Sequence, residues 1–120
     1  MATKKTMIEQ LSEETFDAGL SRPGITVIDF WAGWCGPCRA MAPQFERAAA
    51  LRPQYRFAKV DVDAEPAVAA AYGIRSIPTL MVLLDGEPVA AQAGVIAAEE
   101  LVGALDQIVS TLASSERAAA

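Results

Sequence analysis

Ile25-Thr-Val-Ile-Asp-Phe30 runs directly into Trp31-Ala-Gly-Trp-Cys35-Gly-Pro-Cys38, and this junction decides the fold. The first six residues form a β-branched, mostly apolar run of the kind found in strands buried on both faces. A helix is expected from about Cys35 to Leu51, with Pro43 removing one backbone donor and kinking it. A buried strand that hands over to a helix is the first half of a β-α-β unit. It therefore calls for parallel strands with helices laid against them.

Upstream of the junction, Thr6–Leu11 reads as a short strand. Ser12 follows as a helix N-cap, with Glu13 and Glu14 in the first turn and an end near Gly19. Pro23-Gly24 marks a turn. Downstream, Arg56–Val62 reads as a strand, Pro66–Tyr72 as a helix stopped by Gly73, and Thr79–Leu84 as a third apolar strand. Asp85-Gly86 signals a tight hairpin into Glu87–Gln92. A last helix is expected over Ala97–Leu112, with Leu101, Leu105, Ile108 and Leu112 at helical spacing. Met41 and Met81 fall in apolar runs and read as core. The order β-α-β-α-β-α-β-β-α makes the early strands parallel and adds an antiparallel edge at the hairpin. The expected class is α/β: a central mixed five-stranded sheet flanked by helices on both faces.

At 120 residues the chain fits a single domain over 1–120, ordered from about 6 to 112, with 1–5 and 113–120 as frayed tails. The net charge of −5 argues against a nucleic-acid partner and against an anionic membrane surface. The longest uncharged stretch, Pro88–Ala98, is too short to cross a bilayer. No apolar segment follows Lys4 and Lys5, so a cytoplasmic protein is expected.

Histidine is absent, which removes Ser-His and Cys-His pairs and every imidazole ligand. Cysteine occurs twice, as Cys35 and Cys38. A zinc site needs four ligands, and two thiols without imidazole fall short. An iron–sulfur cluster shared between chains lacks supporting residues. A purely structural disulfide closing so small a loop constrains the unfolded chain little. A redox-active dithiol is the reading that remains. Cys35 would sit exposed at the helix N-terminus, where free N–H groups and the dipole favour a thiolate. Cys38, one turn in and more buried, lies at a separation a disulfide bridges. Pro37 is tolerated in the first turn, and Gly36 leaves the sulfur open to a substrate backbone. The outer cysteine attacks and the inner one resolves.

Phe30-Trp-Ala-Gly-Trp-Cys-Gly-Pro-Cys-Arg39, Ala42-Pro43, Lys59-Val-Asp-Val-Asp63, Tyr72-Gly-Ile-Arg-Ser-Ile-Pro-Thr79, Asp85-Gly-Glu87 and Gly94 together resemble the thioredoxin family. The blocks stand in the family's order and cover about residues 6 to 112. Ser76 and the Arg-Ser-Ile-Pro wording are similar to the second bacterial thioredoxin type. That type usually carries an N-terminal zinc ribbon with four more cysteines, which this chain lacks, so its zinc-linked behaviour does not carry over.

The resemblance implies the thioredoxin fold and reduction of protein disulfides through Cys35 and Cys38. It also implies recycling by a flavin- and NADPH-dependent thioredoxin reductase; no bound cofactor is expected, because the cysteines themselves carry the two electrons, and a monomer is expected. It makes Asp29 a buried acid with a raised pKa, the proton acceptor for Cys38. The bland alternative is an Asp that leans out at the strand end. Lys59 is placed to pair with Asp29 if their strands are neighbours. Trp31 reads as packing beneath the motif, and Trp34 as a partly exposed piece of the docking surface. Ile77, Pro78, Ala93, Gly94 and Val95 match the family's substrate groove, and the match implies a cis Ile77–Pro78 bond. Two rivals remain: an oxidising or isomerising protein of an exported compartment, and a binding module without catalysis.

Overall fold

The computed structural model describes residues 8–12 and 23–119. The helix read over Ser12–Gly19 lies almost wholly outside these residues. Among them, five strands form one sheet: β1 (Ile8–Gln10), β2 (Ile25–Trp31), β3 (Arg56–Asp61), β4 (Thr79–Leu84) and β5 (Glu87–Ala93). Three helices accompany them, α1 (Gly36–Leu51), α2 (Pro66–Ala71) and α3 (Ala98–Ala119). The spatial order is β1-β3-β2-β4-β5, which places β2, the strand that leads into the cysteines, at the centre.

β1 and β2 both run parallel to β3, whereas β4 lies antiparallel to β2 as well as to β5. The hairpin is therefore not the only antiparallel pairing. β4 thus starts at the end of the sheet where β3 stops, after a connection that contains the short helix α2.

The period-2 alternation of β2 divides the core. Val27 packs with Met41 and Phe45 of α1, Leu80 of β4, and Leu101 and Leu105 of α3 on one face. Ile28 and Phe30 join Leu11, Val60, Val68 and Leu83 on the other. Helices thus cover both faces, and both methionines read as core are buried. At the β4–β5 hairpin, Asp85 (φ 52°) and Gly86 (φ 87°) both adopt the left-handed region that a two-residue turn of this hand requires. The Asp85 carboxylate accepts the Gly24 N–H at 2.7 Å, tying this turn to the one that opens β2.

α1 runs from Gly36 to Leu51 with Pro43 inside it. One further departure from the expected elements has a local cause. α3 continues to Ala119 rather than ending at Leu112, because the last stretch offers strong helix formers and neither Gly nor Pro to stop it. At its other end, the Ala98 N–H donates to Gln44 Oε1 of α1 at 2.8 Å, a cap supplied by a neighbouring helix. Asp106 of α3 accepts hydrogen bonds from the Arg52 guanidinium and the Tyr55 hydroxyl, fixing the far end of α1 to α3.

Candidate active site

Cys35 is the N-cap of α1, with φ −87° and ψ 112°. Its Sγ accepts the Cys38 N–H at 3.2 Å, the role a Ser or Asp oxygen usually fills. Its own N–H donates to the Ala32 carbonyl at 3.2 Å, and its carbonyl accepts the Arg39 N–H at 3.3 Å. Cys35 and Cys38 are joined in a disulfide across a Cα–Cα separation of 5.2 Å. Pro37 lies within the first turn, where its missing N–H costs nothing. A Cβ at Gly36 would meet no other part of the fold within 4 Å, so the position lies open beside the disulfide. Once the bond is reduced, the first-turn N–H groups and the helix dipole face the Cys35 sulfur and favour its thiolate.

The expected contrast in burial between the two cysteines does not hold: each is 4% exposed. With the disulfide closed, Cys35 and Cys38 lie in one cluster with Ala32, against Trp31, Val62 and Ile77. The difference between them is directional. Cys35 Sγ lies 3.8 Å from the Ile77 carbonyl oxygen, at the rim. Cys38 heads the stripe Cys38, Met41, Phe45, Ala48, Ala49 by which α1 packs on the sheet.

That same sheet face carries Asp29, two residues beyond Val27 on β2 and in register with Lys59 of β3 and Leu80 of β4. Asp29 is fully buried, which excludes the reading of a residue leaning out at the strand end. Neither carboxyl oxygen has a hydrogen-bond partner. Burial pushes its pKa up to about 6, an effect that the positive charge of Lys59 partly offsets. Lys59 stands beside Asp29 in register, yet no ion pair joins them. Its ammonium lies 4.6 Å from the ring centroid of Trp31 instead.

The rim is assembled from three segments. Trp34 is 68% exposed. The Ile77–Pro78 bond is cis, with Pro78 buried and Ile77 half-buried. The Thr79 hydroxyl donates to the Ser76 carbonyl at 2.6 Å, and the Gly94 N–H donates to the Pro78 carbonyl at 2.9 Å. Ala93 pairs with Thr79, so exposed Ala93, Gly94 and Val95 lie alongside residues 77–79. Gly94 has a φ of +91°, a conformation that L side chains rarely adopt.

Two participants escaped the sequence reading. The Trp34 indole N–H donates to Asp63 Oδ2 at 2.8 Å, and the Arg39 guanidinium donates to the Gly33 carbonyl at 2.9 Å. Asp63 is in turn held by its neighbour, since Asp61 Oδ1 accepts the N–H groups of Asp63 and Ala64. The Asp-Val-Asp spacing just past β3 was the available signal, because an Asp there tends to bond its own backbone two residues on.

A family model described as Thioredoxin matches residues 7–107. The chain is 41% identical over 102 residues to a Streptomyces coelicolor protein assigned as a thioredoxin 2, covering 85% of this chain and 76% of that one. It is 42% identical over 99 residues to thioredoxin C-3 of Corynebacterium nephridii, covering 82% and 68%. It is 41% identical over 101 residues to a Staphylococcus aureus thioredoxin, covering 83% and 96%. With the disulfide at the head of α1 and the mixed five-stranded sheet beneath it, these matches show that the chain belongs to the thioredoxin family and is a thiol–disulfide oxidoreductase.

Proposed function

We propose that the chain reduces disulfides of protein substrates, with Cys35 as the attacking thiol and Cys38 as the resolving one. One observation carries this assignment: the disulfide caps a helix N-terminus while the Cys35 sulfur lies against the Ile77 carbonyl at a rim bearing exposed Trp34 and Val95. An extended client segment can lie along that rim. The Cys35 thiolate attacks one sulfur of the client disulfide, forms a mixed disulfide and releases the other client sulfur as a thiolate. Asp29 takes the Cys38 proton. The Cys38 thiolate then attacks Cys35 Sγ, closing the Cys35–Cys38 bond and releasing the second client thiolate. Two electrons pass to the client, and a thioredoxin reductase, NADPH-dependent by family likeness, supplies two more that reopen the Cys35–Cys38 bond.

In this reading Trp34, Gly36, Pro37, Ile77, Pro78, Ala93, Gly94 and Val95 make the docking rim, and Lys59 moderates Asp29. Residues 1–120 act as one thioredoxin domain and as a monomer in the cytoplasm. Likeness to bacterial thioredoxins supports that placement, and no described helix is long and apolar enough to cross a membrane. Reduction of insulin disulfides with dithiothreitol as electron source tests the activity, and titration against glutathione tests its direction. A strongly reducing potential supports the proposal; an oxidising one would assign the protein to disulfide formation instead.

A further inference from the structure

We infer that Trp31 is a positioning residue for the redox step: its ring holds the Lys59 ammonium away from the Asp29 carboxyl. The inference rests on the reading of Asp29 as the proton acceptor. Lys59 is the register partner of Asp29 across the β2–β3 ladder, and their side chains leave the sheet on the same face. A buried carboxyl without a hydrogen-bond donor is the strongest partner an adjacent ammonium could find. Yet the ammonium is centred on the Trp31 ring, 4.6 Å away, and makes no ion pair with Asp29. The electron-rich ring face competes with the carboxyl for the same cation. The indole N–H of Trp31 is buried without a partner, so the face is what this side chain contributes.

Few other groups could act on Asp29. Among the described residues of the adjoining strands, Lys59 stands level with Asp29, Asp61 follows two residues on along the same face of β3 with its Oδ1 accepting the Asp63 and Ala64 N–H groups, and β4 presents Leu80. α1 brings Cys38 with Met41 and Phe45, and α3 brings Leu101, Val102 and Leu105. In the oxidised protein Cys38 does not titrate, so beside burial the place of the Lys59 ammonium is what adjusts the carboxyl's midpoint. With the ring in place Asp29 remains near the pH at which it can accept and return a proton. With the ammonium against it, the carboxyl would ionise at lower pH and become a weaker base.

The test is the Asp29 midpoint followed by carbon-13 NMR of its carboxyl in the oxidised full chain. Trp31→Leu is expected to lower it by about one pH unit, the low end of what a contacting opposite charge produces. Trp31→Phe keeps an aromatic face and is expected to remain near the parent. In a Lys59→Met background, Trp31→Leu is expected to add nothing, because the shift runs through the ammonium. An unchanged or raised midpoint in Trp31→Leu, or a fall that persists in full without Lys59, overturns the inference. Should Trp31→Leu not fold, fluorinated tryptophans placed at position 31 weaken the ring face without changing its shape. The midpoint must then fall stepwise with fluorine number, and a constant value overturns the inference equally. The pH profile of disulfide exchange separates the two layers. If the NMR midpoint moves while the profile stays fixed, Trp31 does position Lys59, and the assignment of Asp29 as proton acceptor fails.

Discussion

Trp34 donates its indole N–H to Asp63 Oδ2 at 2.8 Å, so the most exposed large apolar side chain at the rim has a fixed orientation. Its flat face is presented to solvent in a defined attitude, and a docking partner need not first order it.

Removing that anchor should therefore weaken docking without touching the sulfur. Asp63→Ala is expected to raise KM for a protein disulfide by about three- to tenfold, equivalent to roughly 0.7–1.4 kcal/mol. The rate of alkylation of reduced Cys35 by iodoacetamide should stay at the parent value. Steady-state kinetics beside alkylation rates checks both halves.

Asp29 should make stability depend on pH with a definite sign. Its folded pKa, about 6, lies above the ordinary value near 3.8, so ionisation opposes folding. Below the lower value the group is protonated in both states and costs nothing. Stability then falls as pH rises from about 4 to about 6, by about 2–3 kcal/mol in total, and stays reduced above that. Asp29→Asn should flatten this limb and slow reduction of insulin. Urea unfolding at a series of pH values, read against the variant, measures the difference.

The cysteines should behave unequally despite equal burial, because only Cys35 faces the rim. Cys35→Ser is expected to abolish disulfide reduction and to trap no partner. Cys38→Ser should still attack and then stall as a mixed disulfide. Non-reducing electrophoresis after incubation with a protein disulfide reads the outcome, and trapping by Cys35→Ser alone would reverse the roles.

Gly94 isolates backbone conformation from side-chain clash. A Cβ there meets nothing within 4 Å, yet φ is +91°. Gly94→Ala is expected to cost about 1–2 kcal/mol through the left-handed conformation alone. It should also loosen the Gly94–Pro78 hydrogen bond and raise KM for protein substrates. Thermal unfolding and steady-state kinetics report the two effects separately.

Much of this was legible in the chain because β2, β4 and α1 each carry a pattern that only one environment suits. Thr79–Leu84 was bounded correctly by its apolar run alone, and the Pro-Cys turn located the head of α1. The antiparallel seating of β4 against β2 was not legible, since an apolar run such as Thr79–Leu84 suits either strand direction. The position of Lys59 was hidden for a related reason. The chain showed Lys59 on a strand that could neighbour that of Asp29, but the choice between a carboxyl and an aromatic ring depends on three side chains meeting in space. Asp63 was visible as a residue and invisible as an anchor, because its partner lies 29 positions away.

The cap formed by Cys35 gives its sulfur a second occupation, as the acceptor that closes the first turn of α1. Chemistry and helix integrity therefore hang on one atom, and the choice of inactive variant is not neutral. Serine replaces that sulfur with a strong capping oxygen, so a Cys35→Ser protein retains the start of its helix. Alanine removes nucleophile and cap together, and the loss of a cap typically costs about 1 kcal/mol. An alanine-substituted protein that fails to bind a client would thus report a frayed helix as readily as a missing thiol.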